Sequence, residues 1–156
     1  MHTSDPLPLA QALIRCPSVT PVDAGALDVL SEALSRLGFT LHRRKFEEVE
    51  NLYAVRRTGP GRTLCFAGHT DVVPVGDAAG WSRDPFGAEI AEGQLWGRGA
   101  ADMKAAIAAM VSGVEAFLQM TPEPNGALAF LITADEEGPA IHGTKRMLEE
   151  LARLGE

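Results

Sequence analysis

The residues Ala127-Leu128-Ala129-Phe130-Leu131-Ile132-Thr133 run without the in–out alternation of a half-solvated strand. A strand of that composition must be covered on both faces, which restricts the architectures open to the chain. Its neighbours supply the cover. From Asp23 to Leu37, residues Ala26, Leu27, Leu30, Ala33, Leu34 and Leu37 recur at helical spacing, and Gly38 supplies the stop. From Met103 to Leu118, residues Met103, Ile107, Met110, Val111, Val114, Phe117 and Leu118 share one helical face. Leu7 to Cys16 reads as a short helix ended by Pro17, and Thr144 to Leu154 as a last helix with Lys145, Arg146 and Arg153 outward. Thr40 to Phe46 and Asn51 to Arg57 alternate as strands, and Thr63 to Gly68 is a short apolar strand expected in the middle of the sheet. Ala88 to Ile90 and Gln94 to Trp96 flank Ala91-Glu92-Gly93 as a hairpin. Strands alternating with helices predict an α/β fold, a layered mixed sheet flanked by helices, with the loops after the strands carrying any site.

At 156 residues and 46% hydrophobic content, the chain is long enough for one domain with a real core. A net charge of −7 argues against nucleic acid or an anionic membrane as partner, and the densest basic cluster, Arg43-Arg44-Lys45, reads as a solvated face. No apolar run in the sequence approaches the ~20 residues of a membrane span. The start Met1-His2-Thr3-Ser4-Asp5-Pro6 has no signal-like character, so a cytoplasmic location is expected. Cys16 and Cys65 read as buried thiols rather than a disulfide framework, and His2 and His42 as exposed.

Three segments carry chemistry, each just past an apolar or small-residue run. They are His69-Thr70-Asp71, Asp102 after Gly97-Arg98-Gly99-Ala100-Ala101, and Asp135-Glu136-Glu137. One imidazole and several carboxylates at strand ends is what a hydrolytic site for divalent metals requires. In His69-Thr70-Asp71 the first and third side chains point the same way, so Asp71 can hold one imidazole nitrogen and leave the other for metal. The alternative is a polar strand end with a hydrogen-bonded histidine. Asp102 is either a metal-bridging carboxylate or a helix N-cap. The acidic run is either a solvated loop or a cluster held together by a cation, with one of Glu136 and Glu137 on the metal and the other facing a water.

Several stretches resemble the desuccinylases of the co-catalytic zinc family that also holds aminoacylases and carboxypeptidases. These are Arg15-Cys16-Pro17-Ser18-Val19-Thr20-Pro21, Phe66 to Asp77, Trp81, Asp84-Pro85-Phe86, Gly97 to Lys104, Leu131 to Pro139 and Gly143-Thr144-Lys145. The resemblance implies His69 on one metal, Asp102 bridging, Glu137 on the other metal, Glu136 as general base and Asp71 orienting His69. It also implies that His69, Asp102 and Glu137 converge and that the Asp102–Met103 peptide is cis. Ala105 stands where the family carries glycine.

The same resemblance implies two Zn²⁺ ions, with cobalt as a possible substitute, and hydrolysis of N-succinyl-diaminopimelate to succinate and diaminopimelate in lysine and cell-wall precursor synthesis. Asp71-Val72-Val73-Pro74 and Gly143-Thr144-Lys145 favour that substrate over those of the related aminoacylases and carboxypeptidases. Residues 1–156 are expected to form part of a catalytic domain truncated at its C-terminal side. On that reading the remaining strands, two further metal ligands and the dimerisation domain of the homodimeric family lie outside the chain. Loose zinc binding, little turnover and self-association of the 156 residues are the corresponding expectations, and a non-catalytic metal-binding chain is the rival of another class.

Overall fold

The computed structural model describes residues 4–156, so His2 lies outside the described residues. Four strands form one mixed sheet: β1 (Thr40–Phe46), β2 (Val49–Arg57), β3 (Thr63–His69) and β6 (Ala127–Thr133), in the order β1-β2-β6-β3. β1 to β2 and β2 to β6 are antiparallel, while β3 lies parallel to β6. All seven residues of β6 are buried, as its unbroken apolar run requires. A separate small hairpin pairs β4 (Ile90–Ala91) with β5 (Gln94–Leu95), shorter than the sequence suggests.

Helices cover both faces. Helices α1 (Leu7–Ile14), α2 (Ala26–Arg36) and α3 (Ala105–Met120) pack on one side, where Leu13, Leu27, Leu30, Leu34, Ile107 and Val111 meet Leu52, Phe130 and Ile132. Phe130 stacks on Phe66 with ring centroids 5.2 Å apart and meets Phe39 edge-on at 5.7 Å. On the other side α4 (Thr144–Leu154) lays Met147 against Tyr53, Ala129 and Leu131. Alternate residues of β6 thus feed two separate cores, which is the layered α/β arrangement expected.

Several expectations need correction. β3 is not central: among the described residues it pairs only with β6, and Leu64 and Cys65 are exposed. Cys65 is therefore not a buried thiol, and Cys16 is only half-buried. Helix α2 begins at Ala26 rather than Asp23, because the Asp23 carboxylate accepts the N–H groups of Gly25 and Leu27 in a turn that precedes it. Phe117 is partly exposed, beside Leu64, Phe66, Met110 and Leu128 at the β3 side of α3. Arg43 is ion-paired to Asp28 at 2.9 Å and Glu50 at 2.7 Å, so the basic cluster is more than a solvated face. Ala100–Met120, counted through the turn before α3, has the length and mean hydropathy (1.2) of a bilayer span. Its inner residues Ile107, Ala108, Val111, Val114 and Leu118 are nonetheless part of the core.

Candidate metal centre

The parallel register pairs His69 with Thr133, so the chain leaves β3 and β6 at the same end of the sheet. The Thr70 N–H donates to the Thr133 carbonyl at 2.9 Å, extending the pairing beyond β3. Residues 69–71 and 134–137 are side by side for this reason. The third segment reaches the same end through the turn Ala100–Lys104, which leads into α3.

His69 is buried and its two nitrogens face different partners. Nδ1 lies 3.0 Å from the Asp71 carbonyl and 3.5 Å from the Asp71 carboxylate. Nε2 lies 3.1 Å from Asp102 Oδ1 and 3.7 Å from Glu136 Oε2. Burial alone would lower the imidazole pKa, but the Asp71 carboxylate and carbonyl and the Asp102 carboxylate outweigh it and raise His69 to about 9. Asp71 is fully buried, and its carboxylate also accepts the backbone N–H groups of Glu136 (3.0 Å) and Glu137 (2.9 Å). Burial would raise its pKa, yet His69 and those two N–H groups hold it below the ordinary carboxylate range. One side chain therefore fixes both the imidazole and the loop that carries the two glutamates.

Asp102 is not a cap. Its backbone is extended (φ −129°, ψ 100°), neither the turn nor α3 has a side-chain cap bond, and its side chain is 74% exposed, turned toward His69. The Asp102–Met103 peptide is cis, as the resemblance implied. The acidic run is not one solvated loop either. Asp135 is buried and accepts the N–H groups of Ala140 (3.2 Å) and His142 (2.9 Å), tying the loop into a closed turn. Gly143 ends this loop where a Cβ would lie 2.3 Å from Thr133 Oγ1, so the chain can pass there only without a side chain. Glu136 is exposed and Glu137 half-buried. Burial, and then the Asp102 carboxylate, raise the Glu137 pKa against the opposing charge of His69, as expected where acidic groups crowd together.

The convergence expected for His69, Asp102 and Glu137 takes a particular form. One ligand atom each from His69, Glu136 and Glu137 lies within 4.8 Å of the others, and Asp102 joins through its contact with Nε2. A nitrogen and several carboxylate oxygens, one imidazole face already held by a carboxylate, fit a divalent ion in both donor type and charge. Sequence reasoning gave no role to two buried polar groups around this cluster, Ser18 and Lys104, and took Asp135 only as part of the acidic run. Lys104, whose pKa burial pulls down to about 8, stands in the stretch Gly97 to Lys104 that carries the resemblance, but nothing in its sequence neighbourhood signals that its ammonium is buried.

The profile of peptidase family M20/M25/M40 matches residues 65–156, the span that contains His69, Asp71, Asp102, Glu136 and Glu137. Among curated relatives, a succinyl-diaminopimelate desuccinylase of Maricaulis maris is 67% identical over 153 residues, covering 98% of this chain and 39% of the relative. One of Rhodospirillum centenum is 56% identical over 157 residues, covering 97% and 40%. The chain thus spans about two fifths of the length of these relatives. An M20 family metallo-carboxypeptidase from Sulfolobus solfataricus has the same fold with a TM-score of 0.81 at 23% identity, over 96% of this chain and 35% of that one. Human carnosine dipeptidase 1 aligns with a TM-score of 0.78 at 24% identity, over 96% and 36%. With the fold, the cluster and the matched span in agreement, the chain belongs to peptidase family M20/M25/M40, whose members are metal-dependent hydrolases.

Proposed function

We propose that these residues carry the metal-binding part of an amide hydrolase whose substrate is N-succinyl-diaminopimelate, working in the cytoplasm as a homodimer with two zinc ions. The observation that carries this reading is the meeting of the His69 imidazole with Asp102, Glu136 and Glu137 at one end of the sheet. Identities of 67% and 56% to curated desuccinylases favour the succinylated substrate over the dipeptide and carboxypeptidase chemistry of the structural neighbours, whose identities are 24% and 23%. On this reading residues 1–156 are part of the catalytic domain, and the further ligands and the dimer contacts come from elsewhere in the gene product.

His69, Asp102 and Glu137 would hold the ions. Bound there, such ions polarise the amide carbonyl and make a water acidic near neutral pH. Asp71 keeps Nδ1 of His69 occupied, so that Nε2 is the nitrogen offered. The exposed Glu136 carboxylate takes the proton of the attacking water and returns it to the leaving amine. Asp71 also sets the path of that carboxylate by accepting the Glu136 and Glu137 N–H groups.

The test is succinate release from N-succinyl-LL-diaminopimelate by the zinc-loaded gene product carrying this chain, beside N-acetyl amino acids and dipeptides. Preference for the succinylated substrate supports the proposal. Faster cleavage of dipeptides or N-acetyl amino acids would transfer it to the aminoacylase and carboxypeptidase branch, and zinc uptake without turnover of any substrate would leave a metal-binding chain only.

A further inference from the structure

The segment Cys16–Thr20 stands far in sequence from every residue of the metal centre, yet it is bonded to two of the three segments that build it. Ser18 Oγ donates to the Thr70 carbonyl at 2.6 Å, and the Val72 N–H donates back to the Ser18 carbonyl at 2.9 Å. The Thr20 N–H then donates to the Val72 carbonyl at 3.1 Å, closing a short parallel bridge between Val19 and Val72. This fixes the stretch immediately after His69. The other attachment comes from the Asp102 side. Lys104, two residues on, is completely buried, and its ammonium donates to the Cys16 carbonyl at 2.8 Å.

A fully buried lysine is rare and needs a partner, and here that partner is a carbonyl contributed by a distant segment. The surroundings are shaped to admit it. Gly99, at φ +77°, passes where a Cβ would stand 2.4 Å from Val72 Cγ1 and 3.4 Å from Lys104 Cδ. Ser18, Thr70, Asp71, Val72 and Lys104 are all at 0% exposure, so none of these bonds can be exchanged for water without opening the structure. The Asp102 side chain reaches His69 Nε2 at 3.1 Å instead of its own turn.

We propose that Cys16–Thr20 and Lys104 form a strap that sets the spacing between His69 and Asp102, with Ser18 and Lys104 as positioning residues. The proposal rests on the metal-centre reading and adds what holds the centre's two sides in register. Neither residue touches the cluster. Ser18 acts through the Thr70 carbonyl on the segment of His69 and Asp71, and Lys104 acts through the turn that carries Asp102.

The experiment uses the gene product that carries this chain with Ser18→Ala and, separately, Lys104→Met, which keeps the length of the stem and removes the ammonium. Cobalt(II) affinity is read from its visible absorption, thermal midpoints are recorded alongside, and amide exchange is followed in the metal-free proteins. The strap requires cobalt affinity to fall about 10–100-fold in variants that remain folded. It also requires Lys104→Met to speed exchange at the Val72 amide, 32 positions earlier in the chain, by about ten-fold or more. Folded variants that bind cobalt as the parent does, with only a lower thermal midpoint, would overturn the strap and leave the metal reading standing. A parent that takes up no cobalt would sink the metal reading instead, and unchanged Val72 exchange in Lys104→Met would then overturn the strap as well. Should one variant fail to fold, the other carries both readouts.

Discussion

Replacing Asp71 by Asn keeps the shape of a fully buried side chain and removes its charge. Two consequences separate by pH. The carboxylate accepts the Glu136 and Glu137 N–H groups at 3.0 and 2.9 Å. A hydrogen bond to a charged group contributes about 1.5–3 kcal/mol against about 1 for a neutral one, and the Asn NH₂ cannot accept at all. Losing charge at both donors costs about 2–3 kcal/mol at any pH where the carboxylate is ionised. The second part depends on His69, raised from 6.5 to about 9 chiefly by Asp71 against the opposing effect of burial. A shift of that size corresponds to about 3 kcal/mol favouring the protonated imidazole, part of it from Asp102. Because the folded-state pKa lies above the unfolded one, this stability is complete below about 6.5 and lost as pH rises through about 9. Urea unfolding of the metal-free chain should therefore show Asp71→Asn costing about 4–5 kcal/mol near pH 6 and only about 2–3 near pH 10. Equal costs at the two pH values, or a cost below about 1 kcal/mol, would refute the assignment of Asp71 as the anchor of both the imidazole and the glutamate loop.

Glu136→Gln should lower amide hydrolysis by the zinc-loaded gene product by about 10²–10⁴-fold while zinc content stays at the parent level; loss of zinc as well would make Glu136 a ligand rather than the base. Metal uptake must displace the proton that His69 holds up to about 9. Calorimetry in buffers of different ionisation enthalpy should therefore show proton release at neutral pH, and apparent affinity should rise about ten-fold per pH unit until it levels near that value. Phe130→Ala removes a fully buried ring between Phe39 and Phe66 and should cost about 3–5 kcal/mol in urea unfolding, a loss large enough to unfold a marginal domain.

Much of the fold is legible in composition because burial on two faces leaves a local mark. β6 shows it as an unbroken apolar run, and α4 as a polar helix with Met147 turned inward. The position of β3 leaves no such mark. Its apolar residues suggest a central strand, but whether a strand has one neighbour or two depends on pairing partners that its own sequence does not encode. The exposure of Cys65 follows from that edge position. The site divides the same way. His69, Asp102, Glu136 and Glu137 stand out as an imidazole and carboxylates at strand and loop ends, but residue type alone leaves a helix cap and a solvated loop as alternatives, and the family resemblance is what singles them out. The second task of Asp71, the inward turn of Asp135 and the burial of Lys104 are not readable, because each depends on backbone groups brought close by folding, in the case of Lys104 a carbonyl 88 positions earlier.

Everything proposed for this site depends on His69 and the neighbouring carboxylates binding the metal. X-ray absorption at the zinc edge of the zinc-loaded chain tests it most directly, because oxygen and nitrogen neighbours at about 2.0–2.2 Å are distinguishable from sulfur at about 2.3 Å. Ligation by His69 and the carboxylates requires a shell of nitrogen and oxygen with an imidazole signature, no sulfur from Cys16 or Cys65, and loss of the metal in His69→Ala. A sulfur-containing shell, or zinc retained undiminished by His69→Ala, would contradict it.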